Sequence, residues 1–178
     1  MKALARIFSA LVLLLALALA GLWYTQKPRQ LPPVPPPLTG EIDRILVEKS
    51  ARRLTVFRGD QAVKTYHIAL GKAPLGPKLR QGDNRTPEGI FSIDRKNAAS
   101  AFHLSLGLDY PQAADLARAR AGGYSAGGDI MIHGQPNSLP SDVVVNDDWT
   151  AGCIALSNVE IAEVFAAVKL GTQVEIRP

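Results

Sequence analysis

One cysteine, Cys153, in 178 residues leaves no intrachain disulfide to staple a fold. There are three histidines, His67, His103 and His133, and no C-x-x-C or H-x-x-x-H spacing, so no zinc pattern is present and no metal is expected. The first 40 residues contain no acid. They hold four of the 20 Lys and Arg (Lys2, Arg6, Lys27 and Arg29), and the other 16 face 16 Asp and Glu. The formal net charge of +4 therefore belongs to the N-terminus, and the remainder is formally neutral. Nucleic-acid binding asks for a basic face, so this balance argues against a nucleic-acid partner.

What the N-terminus does contain is a targeting pattern. Lys2 and Arg6 precede an uncharged stretch, residues 7–24, in which Leu11 to Ala20 is only Leu, Val and Ala. That is a signal sequence or a signal anchor, expected to cover residues 1–27. Eighteen helical residues span ~27 Å, close to the ~30 Å of a bilayer's hydrocarbon core. Ala18-Leu19-Ala20 supplies an A-x-A cleavage site, while Trp23 and Tyr24 suit an interfacial belt. Both fates remain open: cleavage, or attachment to the cytoplasmic membrane. Residues 28–40 form a linker, with six prolines between Pro28 and Leu38. Proline at that density excludes helix and favours an extended polyproline II spacer.

Residues 41–178 read as one domain. Ile45-Leu46-Val47 is β-like, Lys49 to Arg52 turns the chain, and residues 54–57 alternate as a second strand. Arg58-Gly59-Asp60-Gln61 is a hairpin signal before a third strand over residues 63–70, where His67 is expected to pair across the sheet. Thr86-Pro87-Glu88-Gly89 punctuates the chain before a strand at residues 90–93. Residues 97–128 look irregular, with a short strand at 102–106 and a short helix at 111–121. They are expected to wall a cleft, with His103 as a candidate contact. Residues 129–132 form a strand that ends at His133. Asn158 opens a helix over residues 159–168, and Val174-Glu175-Ile176 closes the chain as a strand. The expected fold is mainly β, sandwich or barrel-like, with one or two short helices.

The chemistry concentrates between His133 and Cys153. His133-Gly134 ends an apolar run. Asn146-Asp147-Asp148 is followed by Trp149 and then by Thr150-Ala151-Gly152-Cys153-Ile154. A Cys and a distant His become a nucleophile and its base when a fold joins them, and a buried Cys with a core His is the bland reading of the same pair. The glycine and small residues before Cys153 favour the chemical reading, because closely spaced backbone N–H groups can hold an oxyanion. A neighbouring imidazole can take the thiol proton and hold an ion pair, which is the expected activation of Cys153.

This pattern, His-Gly and then Thr-x-Gly-Cys after a spacer, resembles the catalytic motif of the L,D-transpeptidases (the YkuD-type catalytic domain), over about residues 45–176. The Thr-Pro-x-Gly turn at 86–89 resembles that family as well. The resemblance implies a peptidoglycan enzyme acting outside the cytoplasmic membrane, in the periplasm, without a cofactor. Cys153 would attack the amide carbonyl of the third residue of a stem tetrapeptide, and His133 would serve as general base and then acid. The Gly134 carbonyl would orient His133. Backbone N–H groups of Gly152, Cys153 and Ala151 would hold the oxyanion. Trp149 and Thr150 are candidate substrate contacts, although Trp149 reads first as a packing anchor. The chain departs from the family's common pattern at Ala151, where many members have His, and at Ala155, where many have Arg. These departures keep open a peptidoglycan amide hydrolase, and, from another class, a non-catalytic peptidoglycan-binding module. A papain-like protease is disfavoured, because no C-G-x-C-W pattern occurs.

Overall fold

The computed structural model describes residues 2–25 and 36–178, with side chains inside the first segment given for Arg6, Ser9 and residues 11–22. The chain divides into two units, Met1–Pro36 and Pro37–Pro178. In the first, α1 (Lys2–Thr25) is helical, as an uncharged Leu/Ala run dictates. Among the described residues no helix is long and apolar enough to cross a membrane. The Pro-rich stretch before Pro36 and the side chains of Trp23 and Tyr24 lie outside the described residues.

The second unit is a curled eight-stranded sheet with two short helices. Its strands are β1 (Arg44–Glu48), β2 (Arg53–Arg58), β3 (Gln61–His67), β4 (Gly89–Ser100), β5 (His103–Leu108), β6 (Met131–His133), β7 (Ile154–Ala155) and β8 (Gln173–Arg177). They lie in the order β3-β2-β1-β8-β4-β5-β6-β7. The helices are α2 (Ala113–Ala121) and α3 (Asn158–Ala167). Alternation sets the inner face: Ile45 and Val47 of β1, Leu54 and Val56 of β2, and Val174 and Ile176 of β8 are buried. Ile132 and Ile154, both fully buried, continue that face under the site. Burying each such side chain contributes about 1.5–3 kcal/mol. On α3, Ile161, Val164 and Ala167 turn to the same core.

The expected barrel-like character comes from a seam. After His67 the chain leaves β2 and reaches the far edge of the sheet. There Ala69 N–H donates to Ala155 O at 3.0 Å and Ala155 N–H to Ala69 O at 2.8 Å. Thr150 N–H donates to Leu70 O at 3.1 Å and Lys72 N–H to Thr150 O at 3.0 Å. The third strand thus runs over Gln61–His67 rather than 63–70, because its last residues change partner.

The stretch expected to be irregular begins as a hairpin. β4 is 12 residues long; Gly89–Ser92 pair with β8, and Ile93–Ser100 pair with β5 across two register shifts. Its outer half, Asp94 to Ala99, is exposed and held by backbone pairing, so it carries no apolar alternation to read. His67 pairs across the ladder with Arg53. The cap of α3 is Ser157 rather than Asn158. Ser157 Oγ accepts from Glu160 N–H at 3.3 Å, and Ser157 N–H donates to Glu160 Oε2 at 3.0 Å.

Candidate active site

β6 and β7 lie parallel with Ile132 opposite Ile154 and His133 opposite Ala155. Ile132 and Ile154 point into the core, so the flanking Met131, His133 and Cys153 fall on the other face of the sheet. His133 and Cys153 both line one cavity of about 460 Å³. Its walls include Phe102 and Ser105 from the β4–β5 hairpin, Met131, and Trp149. The residues expected to wall a cleft therefore do so through the hairpin tip.

His133 is buried, at 4% exposure. Its Nδ1 lies 2.7 Å from Gly134 O. A carbonyl only accepts, so Nδ1 carries the proton and Nε2 keeps its lone pair. Phe102 packs at 4.6 Å between ring centroids and Trp149 meets the imidazole edge-on at 5.5 Å. Burial pulls the His133 pKa below the ordinary imidazole value, and the bond to Gly134 offsets part of that. Gly134 has no room for a side chain, since a Cβ there would sit 2.7 Å from Asn158 Oδ1 and 3.0 Å from His103 Cβ.

The Cys153 thiol donates to Asp129 O at 3.4 Å. Burial pushes its pKa up; the Met131 N–H and the Lys78 charge pull the other way, and Asp129 adds to the rise. Desolvation works against both members of the ion pair expected from sequence, the thiolate and the imidazolium.

The turn before Cys153 is wound around one hydroxyl. Thr150 Oγ1 donates to Cys153 O at 2.8 Å and accepts from Gly152 N–H at 3.1 Å. Thr150 lines the cavity, but its one hydroxyl proton is used inside the turn. Gly152 N–H is engaged too. Of the three N–H groups expected to face an oxyanion, those of Ala151 and Cys153 have no partner among the described residues. Gly152 has φ +137°, and a Cβ there would lie 2.7 Å from Arg85 O. Only glycine suits both conditions.

Several supports escaped the sequence reading. Asp148 accepts from Arg52 Nε at 3.1 and 3.0 Å, from Arg52 Nη2 at 2.6 Å and from Leu70 N–H at 2.9 Å, which fixes the backbone just before Trp149. Buried Gln135 donates from Nε2 to Leu156 O at 2.7 Å and accepts from Val145 N–H at 3.0 Å, tying the loop after His133 to the strand after Cys153. Asn137 holds the hairpin tip: Oδ1 accepts from His103 N–H at 2.8 Å and Nδ2 donates to Ser100 O at 2.9 Å. His103 itself sits exposed on that tip with φ +63°. The Thr-Pro-x-Gly turn has a job as well. Fully buried Thr86 accepts from Gly71 N–H at 3.2 Å, and Gly71 bridges to Thr150. No group of three His, Cys, Asp or Glu is arranged to hold a metal ion among the described residues.

Residues 42–176 match the family model described as the L,D-transpeptidase catalytic domain (YkuD). The chain is 32% identical over 129 residues to YafK of Escherichia coli K12, whose own L,D-transpeptidase name is provisional; the match covers 70% of this chain and 46% of YafK. Among solved structures, the helical cell shape determining protein Pgp2 of Campylobacter jejuni superposes with a TM-score of 0.60 at 24% identity, over 78% of this chain and 48% of Pgp2. An L,D-transpeptidase of Xylanimonas cellulosilytica superposes with a TM-score of 0.51 at 13% identity, over 82% of this chain and 65% of that one. At those identities the two structures speak for the fold. The chain spans about half the length of YafK and of Pgp2.

Proposed function

Because the chain belongs to the L,D-transpeptidase (YkuD-type) catalytic domain family, we propose that it is a cysteine acyltransferase acting on peptidoglycan stem peptides outside the cytoplasmic membrane. The observation that carries this reading is a single cavity lined by Cys153 and by His133, whose Nδ1 is locked on Gly134 O.

In this mechanism the resting pair is neutral. Nε2 of His133 removes the thiol proton as Sγ attacks the amide carbonyl of the third stem residue, so charge separates only as the bond forms. The oxyanion is held by the N–H groups of Cys153 and Ala151. The C–N bond then breaks, His133 returns the proton to the leaving amine of the terminal D-Ala, and a thioester remains on Cys153. An amine from a second stem attacks that thioester, His133 takes the amine's proton, and the thiol is restored. The apolar walls exclude water from the charge-developing step.

A hydrolytic second reading has its own observation. Ala155, where many relatives have Arg, is 2% exposed and paired with Ala69 in the seam, so no cation reaches the cavity from there. A weaker hold on the acceptor would let water resolve the thioester. The test incubates the protein with a stem tetrapeptide and excess acceptor amine and separates products by mass. Cross-linked dimer or exchanged tetrapeptide establishes transfer; tripeptide alone at every acceptor concentration establishes hydrolysis. Turnover by Cys153→Ala would overturn both. Export is tested by a C-terminal alkaline phosphatase fusion, which is active only if residues 1–27 carry the domain across the membrane.

A further inference from the structure

The cavity holding His133 and Cys153 has no Lys or Arg in its lining. The opposite flank of the Cys153 turn is different. Residues 72–85 contain four cations, Lys72, Lys78, Arg80 and Arg85, against one acid, Asp83, whereas the rest of residues 41–178 carries 12 cations against 15 acids. That acid is fully engaged. Asp83 accepts from Lys78 Nζ at 2.7 Å and from the N–H groups of Leu79 at 2.7 Å, Arg80 at 3.1 Å and Arg85 at 3.1 Å. Burial pushes the Asp83 carboxyl up, but Lys78 and these N–H groups outweigh it and hold it at about 2. Asp83 thus neutralises Lys78 and stiffens the loop. Lys72, Arg80 and Arg85 are left with no acidic side-chain partner among the described residues.

Arg80 and Arg85 line a second cavity of about 390 Å³, whose walls are Ala73, Leu79, Asp83 and Tyr124. The loop that bears it touches the Cys153 turn at two points. Lys72 N–H donates to Thr150 O at 3.0 Å, and Arg85 O lies where a Cβ on Gly152 would have to go.

We infer that the Arg80–Arg85 cavity is a carboxylate-recognising subsite, which takes a free carboxylate of a peptide whose scissile carbonyl sits at Cys153. The inference rests on the proposed acyl-transfer reading and adds a ligand class and two specificity residues to it. Guanidinium forks match carboxylates in shape and charge, and an unpaired Arg on a stiff loop gives up little freedom on binding. The subsite also supplies, from a different part of the chain, the positive charge that Ala155 does not.

The experiment uses three probes on the full chain. The first is a stem tetrapeptide with free carboxylates; the second is the same peptide with its carboxylates converted to carboxamides. The third is a small acetyl thioester that lacks both peptide and carboxylate, and reads Cys153 and His133 alone. In the unaltered protein the acid peptide is expected to have a kcat/KM about ten-fold above that of the carboxamide, most of it in KM. That advantage should shrink as salt is raised. The Arg80→Gln/Arg85→Gln double variant should lose the advantage through KM, with kcat, the carboxamide rate and the small-thioester rate unchanged. Arg85→Lys should recover part of it. An acid-to-carboxamide ratio that stays the same in the double variant overturns the subsite. So does inhibition by a phosphodiester polymer, relieved in the double variant, with no discrimination between the two peptides. Failure of the small thioester to acylate Cys153 in the unaltered protein would instead sink the acyl-transfer reading.

Discussion

The two flanks of the Cys153 turn are made of opposite materials. On the β6 side stand Phe102, Trp149 and a buried His133, with no cation in the lining. On the 72–85 side stand four cations and one acid, held by backbone hydrogen bonds rather than by an apolar core. The first flank buries His133, whereas the second exposes Lys72 and Arg80 to solvent and buries Lys78 in its pair with Asp83. Cys153 sits where the two meet, sharing a cavity with His133 on one side and a backbone turn packed against Arg85 on the other.

The comparison breaks first at the proposed reacting pair, Cys153 and His133. Cys153→Ala should abolish turnover while leaving the melting temperature within a few degrees, read by product mass and calorimetry. His133→Ala should lower kcat/KM by ~10²–10⁴. Next comes the hinge between the flanks. Gly152→Ala forces a side chain into a left-handed backbone against Arg85 O, and about 1–3 kcal/mol of destabilisation with a loss of activity is expected in denaturant titrations. An unshifted midpoint would mean that Arg85 yields freely.

The apolar flank is sharpened by pH. Phe102→Ala admits water beside His133 and should move its pKa up, toward the ordinary imidazole value. The acid limb of the kcat/KM profile would then shift to higher pH. The linkage has a definite sign. A histidine whose folded pKa is depressed adds stability above its unfolded pKa of ~6.5, and loses it as pH falls through the folded value. A thiol whose folded pKa is raised does the reverse and loses stability as pH rises past ~8.5. Melting temperature against pH should therefore fall on both sides, and Cys153→Ala should remove the alkaline fall alone. The smallest effect is expected at a residue outside the lining of the cavity. Ser157→Ala removes the cap of α3 and should cost about 1 kcal/mol with activity unchanged.

What was legible in the sequence was local. Alternation marked β1, β2 and β8, and the small residues around Cys153 marked a turn that would bring backbone close to a ligand. The length of β4 was not legible, because its outer half is held by hydrogen bonds to β5 and has no buried face. Nor was the partner change after His67, since the Ala69–Ala155 pairing joins residues far apart in the chain. Asp148, Gln135 and Phe102 act through tertiary contacts that no spacing encodes. The pull of burial against charge on Cys153 and His133 was not legible either, because a motif does not contain burial.

The seam has a consequence in time as well as in space. β1 and β8, at opposite ends of the domain, run in parallel register from Arg44↔Gln173 to Glu48↔Arg177, and the Cys153 turn is stitched to Leu70 and Lys72. Closing such long loops comes late and slowly when a chain folds. Until it happens, Cys153 has neither its wound turn nor His133 in the same cavity. On the proposed acyl-transfer reading, the order of assembly acts as a safety catch: Cys153 gains its base only when the whole domain has closed around it.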